Sequence, residues 1–124
     1  MLRSWLFVPG DSERKQGKAL ASAADAVILD LEDSVALAQL VAARRRVGEL
    51  VRSVRAPRGP QLWVRVNAPS SDLLREDLEA VFASSAPDGI VLPKVSDPGE
   101  IAPVARRLAT LESHLGMVNY PDGE

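Results

Sequence analysis

Four short apolar runs, residues 5–8, 26–31, 62–66 and 89–92, alternate along the chain with segments of helical periodicity. The runs are almost continuously apolar, the pattern of strands buried on both faces of a parallel sheet. Between and after them, apolar residues recur at helical spacing. One set is Leu37, Leu40, Val41, Val47, Leu50, Val51 and Val54; a second is Leu74, Leu78, Val81 and Phe82; a third is Ile101, Val104, Ala105, Leu108 and Leu111. The segment 14–23 is a weaker helix because Gly17 interrupts it. The last helix has a clear start, with Asp97 as N-cap, Pro98 in the first turn and Glu100 placed to complete a capping box. Strand and helix thus alternate four times, which predicts parallel strands joined by right-handed crossovers.

Periodicity leaves two α/β architectures open: a doubly wound open sheet, or part of a (β/α)8 TIM-type barrel. A whole barrel takes roughly 250 residues, and the four units here occupy 124. Segments 55–60 and 68–71 read as loops inside one domain rather than as linkers.

Bulk properties remove several function classes. The net charge of -2 gives no basic footprint for nucleic acid. No cysteine is present, which excludes disulfides, zinc–thiolate sites and thiol catalysis and suits a cytoplasmic protein. No apolar run approaches the ~18 residues of a membrane span. The first apolar run is too short for a secretory signal and ends at Pro9-Gly10-Asp11.

Chemistry is expected where the strands end, because parallel α/β folds collect their sites there. The second run ends in Asp30-Leu31-Glu32-Asp33, three carboxylates within four residues. They repel one another unless cations or several donors sit nearby. Such oxygens suit Mg²⁺, which often takes one or two carboxylates and several waters. The plainer reading is that Asp33 or Ser34 caps the next helix, which would account for one of the acids. The third run ends Val64-Arg65-Val66-Asn67. An arginine among buried valines must be paired, either with one of these carboxylates or with an anionic substrate. Asn67 is expected to fix the turn with a left-handed backbone.

After the first run, Gly10 permits a tight turn and the following helix offers free amides to an anion. Arg14 and Lys18 lie one turn apart there and could hold phosphate oxygens, or simply be solvated. Lys94, after the fourth run, could be a Schiff-base amine, a cation for a carboxylate, or a surface residue; pairing with the acidic cluster is favoured. His114 reads as a solvated residue at a helix end. No glycine-rich dinucleotide or P-loop signature occurs.

Together, Phe7-Val8-Pro9-Gly10-Asp11, Arg14, the segment 24–35, Ala43-Arg44, Val64-Arg65-Val66-Asn67 and the segment 88–95 closely resemble the citrate lyase beta-subunit-like family of the HpcH/HpaI aldolase superfamily. The resemblance runs from about Ser4 to the end of the chain. It implies the first four βα units of a (β/α)8 barrel, and Mg²⁺-dependent carbon–carbon lyase chemistry on acyl-CoA or 2-oxo and hydroxy acids. It implies that Arg65 binds the substrate carboxylate, that Arg14 with Lys18 contacts CoA phosphates, and that Glu32 and Asp33 belong to the polar network around the metal and its waters. Lys94 would lie at the same mouth and help bind substrate. The family's direct metal ligands, a Glu after the fifth strand and an Asp after the sixth, have no counterpart here. The segment 119–123 would be the turn leading to strand five. The chain is therefore expected to be a fragment, a truncated frame, or a half completed by a homo-oligomer or a partner chain. Two other expectations stand beside it: a non-catalytic half barrel that binds ligand or only assembles, and a self-sufficient flavodoxin-like domain.

Overall fold

In this computed structural model the described residues are 3–53 and 59–114, with the side chain of His114 left out. The expectations for Val54, for the loop at 55–58, for the His114 side chain and for the turn at 119–123 lie outside them. Four strands, β1 (Trp5–Pro9), β2 (Ala26–Asp30), β3 (Gln61–Arg65) and β4 (Gly89–Val91), alternate with helices α1 (Glu13–Leu20), α2 (Leu40–Ser53), α3 (Leu74–Val81) and α4 (Ile101–His114). The strands are parallel and lie in chain order, β1-β2-β3-β4.

Strand order and helix placement separate the two architectures. A doubly wound sheet reverses its strand order, so its helices cover both faces. Here the order never reverses. Val8, Val27, Leu29, Leu62 and Val64 point to one side and form a single core with Ala19 of α1, Val47 and Val51 of α2, and Leu78 and Val81 of α3. Leu108 and Leu111 of α4 pack on that same core. Alternate strand positions face away from it. Sequential parallel strands with every helix on one side are a segment of a (β/α)8 barrel, and the flavodoxin-like expectation is set aside.

Burial on both faces holds for β2, whose five residues are all buried. It fails for β1. Trp5, Leu6 and Phe7 are 40%, 40% and 55% exposed, because no described element covers that edge or the face opposite the helices. On this bare face Trp5 and Trp63 meet edge to face, with ring centroids 5.2 Å apart. Gly89 lies opposite Trp63 in the register. A Cβ there would stand 2.3 Å from the indole, so the glycine is what lets the ring lie flat on β4.

Local signals explain the helix starts. Ser12 caps α1 by accepting from the Lys15 amide at 3.3 Å, and Gly17 leaves the eight-residue helix intact. Asp97 accepts from the Gly99 amide at 2.8 Å. Glu100 reaches back to the Ser96 amide at 2.9 Å. These contacts close a single 3-10 turn at Pro98–Glu100 that leads into α4.

Candidate active site

Five charged side chains of alternating sign run across the carboxyl ends of β2, β3 and β4: Asp30, Arg65, Glu32, Lys94 and Asp33. Asp30 closes β2 and is 1% exposed. Its Oδ1 accepts from Arg65 Nε at 2.8 Å and from the Glu32 amide at 2.9 Å. Its Oδ2 accepts from Arg65 Nη2 at 2.9 Å, the Ser34 hydroxyl at 2.7 Å and the Ser34 amide at 3.0 Å. Burial alone would raise the carboxyl's pKa. The Arg65 guanidinium, the Ser34 hydroxyl and the two amides outweigh burial and bring it down to about 2. Asp30 is thus an anion at neutral pH that orients its neighbours.

Arg65 sits in register with Asp30 on the neighbouring strand, on the bare face. The carboxylate holds the guanidinium's charge and raises its pKa against the opposing effect of burial. The guanidinium carbon also lies over the Phe7 ring, 4.9 Å from its centroid. Nη1 of Arg65 makes no hydrogen bond among the described residues.

Glu32 follows β2 with its side chain 8% exposed. Oε2 accepts from the Lys94 ammonium. Oε1 is buried without a hydrogen-bond donor among the described residues, and Arg65 Nε stands 3.5 Å away. Lys94 also pairs with Asp33 Oδ1 at 3.2 Å. Glu32 and then Asp33 raise the pKa of the Lys94 amine. That direction is opposite to what a Schiff-base amine needs, so pairing with the acidic cluster is the reading the geometry keeps. Lys94 has φ of 53°, the left-handed region that L side chains rarely adopt.

Two expectations are corrected. Neither Asp33 nor Ser34 caps a helix: the turn before α2 starts after Ala36 with no side-chain cap. Ser34 instead donates twice to Asp30, which organises the loop itself. Asn67 has no left-handed backbone, since Lys94 alone among the described non-glycine residues has positive φ. Its amide group donates to Leu31 O at 3.0 Å and to Asp77 Oδ2 at 2.7 Å.

Asp77 belongs to a buried network that sequence reasoning missed. Arg44 on α2 donates from Nε to Asp77 Oδ1 at 2.8 Å and from Nη2 to Leu73 O at 3.0 Å. This network fastens α2 and α3 to the ends of β2 and β3, directly beneath the strand-end charges. Arg44 was visible only as part of a motif. Its partner lies 33 residues away on another amphipathic helix, where a lone acid carries no local signal.

Arg14 and Lys18 lie exposed on α1, one turn apart. No ion pair joins either to the charged row among the described residues. A cavity of about 220 Å³ abuts that row, lined by Phe7, Val8, Pro9, Asp30, Ser34 and Arg65. Another, of about 770 Å³, lies between α3 and α4 among Leu74, Leu78, Val104 and Arg107, away from the carboxylates. Among the described residues no three His, Cys, Asp or Glu side chains converge to hold a metal ion, and no helix is long and apolar enough to cross a membrane.

Residues 3–121 match the family model described as HpcH/HpaI aldolase/citrate lyase. A (3S)-malyl-CoA thioesterase of Cereibacter sphaeroides is 40% identical over 124 residues, covering 94% of this chain and 42% of the relative. The human mitochondrial citramalyl-CoA lyase is 40% identical over 101 residues, covering 80% of this chain and 29% of the relative. The CitE protein of Mycobacterium tuberculosis, solved with magnesium, acetoacetate and coenzyme A, superposes with a TM-score of 0.69. It is 38% identical and covers 84% of this chain and 37% of that one. The chain thus spans less than half the length of these relatives.

Proposed function

The chain belongs to the HpcH/HpaI aldolase/citrate lyase family, and on that premise we propose that it supplies the carboxylate-binding side of a magnesium-dependent carbon–carbon lyase acting on acyl-CoA or 2-oxo and hydroxy acids. One observation carries the reading. Arg65 stands at a strand end, aligned by the Asp30 carboxylate, with its Nη1 uncommitted among the described residues and beside a small cavity. A guanidinium held in this way offers a substrate carboxylate its free end, one N–H of Nη1 beside the second N–H of Nη2, without first having to be ordered.

The other roles follow the chemistry of each group. Lys94 is a second cation at the same mouth and, with Arg65, binds the acid part of the substrate. Arg14 and Lys18, exposed on α1, take the CoA phosphates. Glu32 and Asp33 would take hydrogen bonds from the metal's waters. Glu32 fits that role because its buried Oε1 has no hydrogen-bond donor among the described residues, and such a water would provide one. Bound magnesium supplies Lewis acidity for the negative charge that carbon–carbon cleavage develops beside a carbonyl. The metal's direct ligands are not among the residues described, so the complete site includes groups from further barrel strands, in the same polypeptide, another copy or a partner chain. Those strands also cover the bare face that Trp5, Phe7 and Trp63 line. The proposed setting is cytoplasmic.

The test replaces the matched segment of the human citramalyl-CoA lyase with this chain and assays citramalyl-CoA and malyl-CoA cleavage with magnesium. The hybrid is expected to release an acyl-CoA and an oxo acid. Chelation of the metal, or Arg65→Ala, is expected to remove most of that turnover. Free CoA as the main product would instead assign thioester hydrolysis. Full turnover in a folded Arg65→Ala hybrid would overturn the carboxylate-anchor role.

A further inference from the structure

We propose that Phe7 is a positioning residue for Arg65: ring and carboxylate together hold the guanidinium in the one orientation that presents Nη1 to a small acid. The inference rests on the reading of Arg65 as the substrate anchor. Arg65 is on β3 and Phe7 on β1, so the side chain must cross β2 to reach the ring. Asp30 grips one edge of the guanidinium through Nε and Nη2 at 2.8 and 2.9 Å. A single edge-on grip still lets the plane rock about that edge. The Phe7 ring, 4.9 Å from the guanidinium carbon, removes this freedom by stacking and cation–π attraction. Phe7 is 55% exposed and is not part of the core on which the helices pack. It also lines the cavity of about 220 Å³ beside Arg65.

The experiment uses the full chain labelled with ¹⁵N and acetoacetate as the probe. The Arg65 Nε–H resonance is identified by its loss in Arg65→Lys, and the Trp5–Trp63 near-ultraviolet signal reports the fold. In the wild type, acetoacetate is expected to move the Arg65 resonance saturably. Phe7→Leu is expected to weaken binding about fivefold, the size of a partly desolvated cation–π contact, with the fold signal unchanged. Phe7→Tyr, which keeps the ring, is expected to bind within about twofold of wild type. Equal binding by Phe7→Leu and wild type overturns the positioning role alone. Loss of the fold signal in Phe7→Leu also overturns it, by making Phe7 structural. A wild-type resonance that acetoacetate never moves overturns the anchor reading of Arg65 and this inference with it.

Discussion

Asp30 and Arg65 meet side-on across adjacent strands, Nε to Oδ1 at 2.8 Å and Nη2 to Oδ2 at 2.9 Å. The register forces the meeting, since the two are direct partners in the β2–β3 ladder. An acid and an arginine at matching strand ends thereby become one unit whose exposed part is the guanidinium.

The pair makes stability depend on acid. Asp30 titrates at about 2 in the fold, against an ordinary value of 3.8. Between those values the unfolded chain binds more protons than the folded one. The contribution is therefore complete above the unfolded value and is lost as pH falls through the folded one. It amounts to about 1–2 kcal/mol once screening through the partly exposed Arg65 is allowed for. Urea unfolding from about pH 5 to about pH 2 should show this loss, and Asp30→Asn should flatten it. Parallel losses in wild type and variant would assign the acid sensitivity to other groups.

The Arg44–Asp77–Asn67 network should dominate helix docking. Asp77→Ala leaves the buried Arg44 guanidinium with only Glu76, at 3.3 Å, and the Leu73 carbonyl, and leaves the Asn67 backbone amide unmatched, a loss of about 3 kcal/mol. Asn67→Ala removes fewer contacts and should cost about 1–3 kcal/mol. Urea midpoints at unchanged slope measure both. An Asp77→Ala chain less affected than Asn67→Ala would contradict the central place given to that carboxylate.

Two helical glycines should respond with opposite sign. A Cβ at Gly17 meets nothing within 4 Å. Gly17→Ala should therefore stabilise α1 by about 0.5–1 kcal/mol. A Cβ at Gly48 would stand 2.7 Å from the Ala80 carbonyl oxygen, a backbone atom that cannot turn aside. Gly48→Ala should force α2 and α3 apart and cost about 1–3 kcal/mol. Thermal melts of the two variants, run together, check the contrast.

The strand ends were legible because, on a parallel sheet, the carboxyl-terminal mouth is the natural place for an apolar run to stop at clustered acids. Arg65 was legible by a related logic, since a guanidinium between valines must be paired. The choice between a carboxylate and a substrate needed the register, which local pattern does not contain. The partners of Asp77 and Phe7 were not legible. Asp77 is an acid on an amphipathic helix and Phe7 an apolar residue in an apolar strand, and each acquires its role from a partner on a distant element. The exposure of β1 was also hidden, because periodicity reports which residues can be buried, not whether a covering layer is present.

The same limit concealed the backbone of Lys94. Its φ of 53° is a conformation that costs an L residue about 1–2 kcal/mol. The ammonium meanwhile meets Glu32 and Asp33. Two substitutions separate backbone from charge. Lys94→Ala and Lys94→Gly lose the same ammonium and the same ion pairs. Only glycine escapes the steric penalty of the left-handed region, partly offset by its greater freedom when unfolded. Lys94→Gly should therefore be the more stable variant by about 1 kcal/mol in urea melts. In the hybrid barrel it should still turn over less than the parent, because the cation is gone from the mouth. A Lys94→Ala chain that melts with Lys94→Gly would mean that residue 94 relaxes out of the left-handed region without its amine. The ion pairs to Glu32 and Asp33 would then be what holds the backbone there.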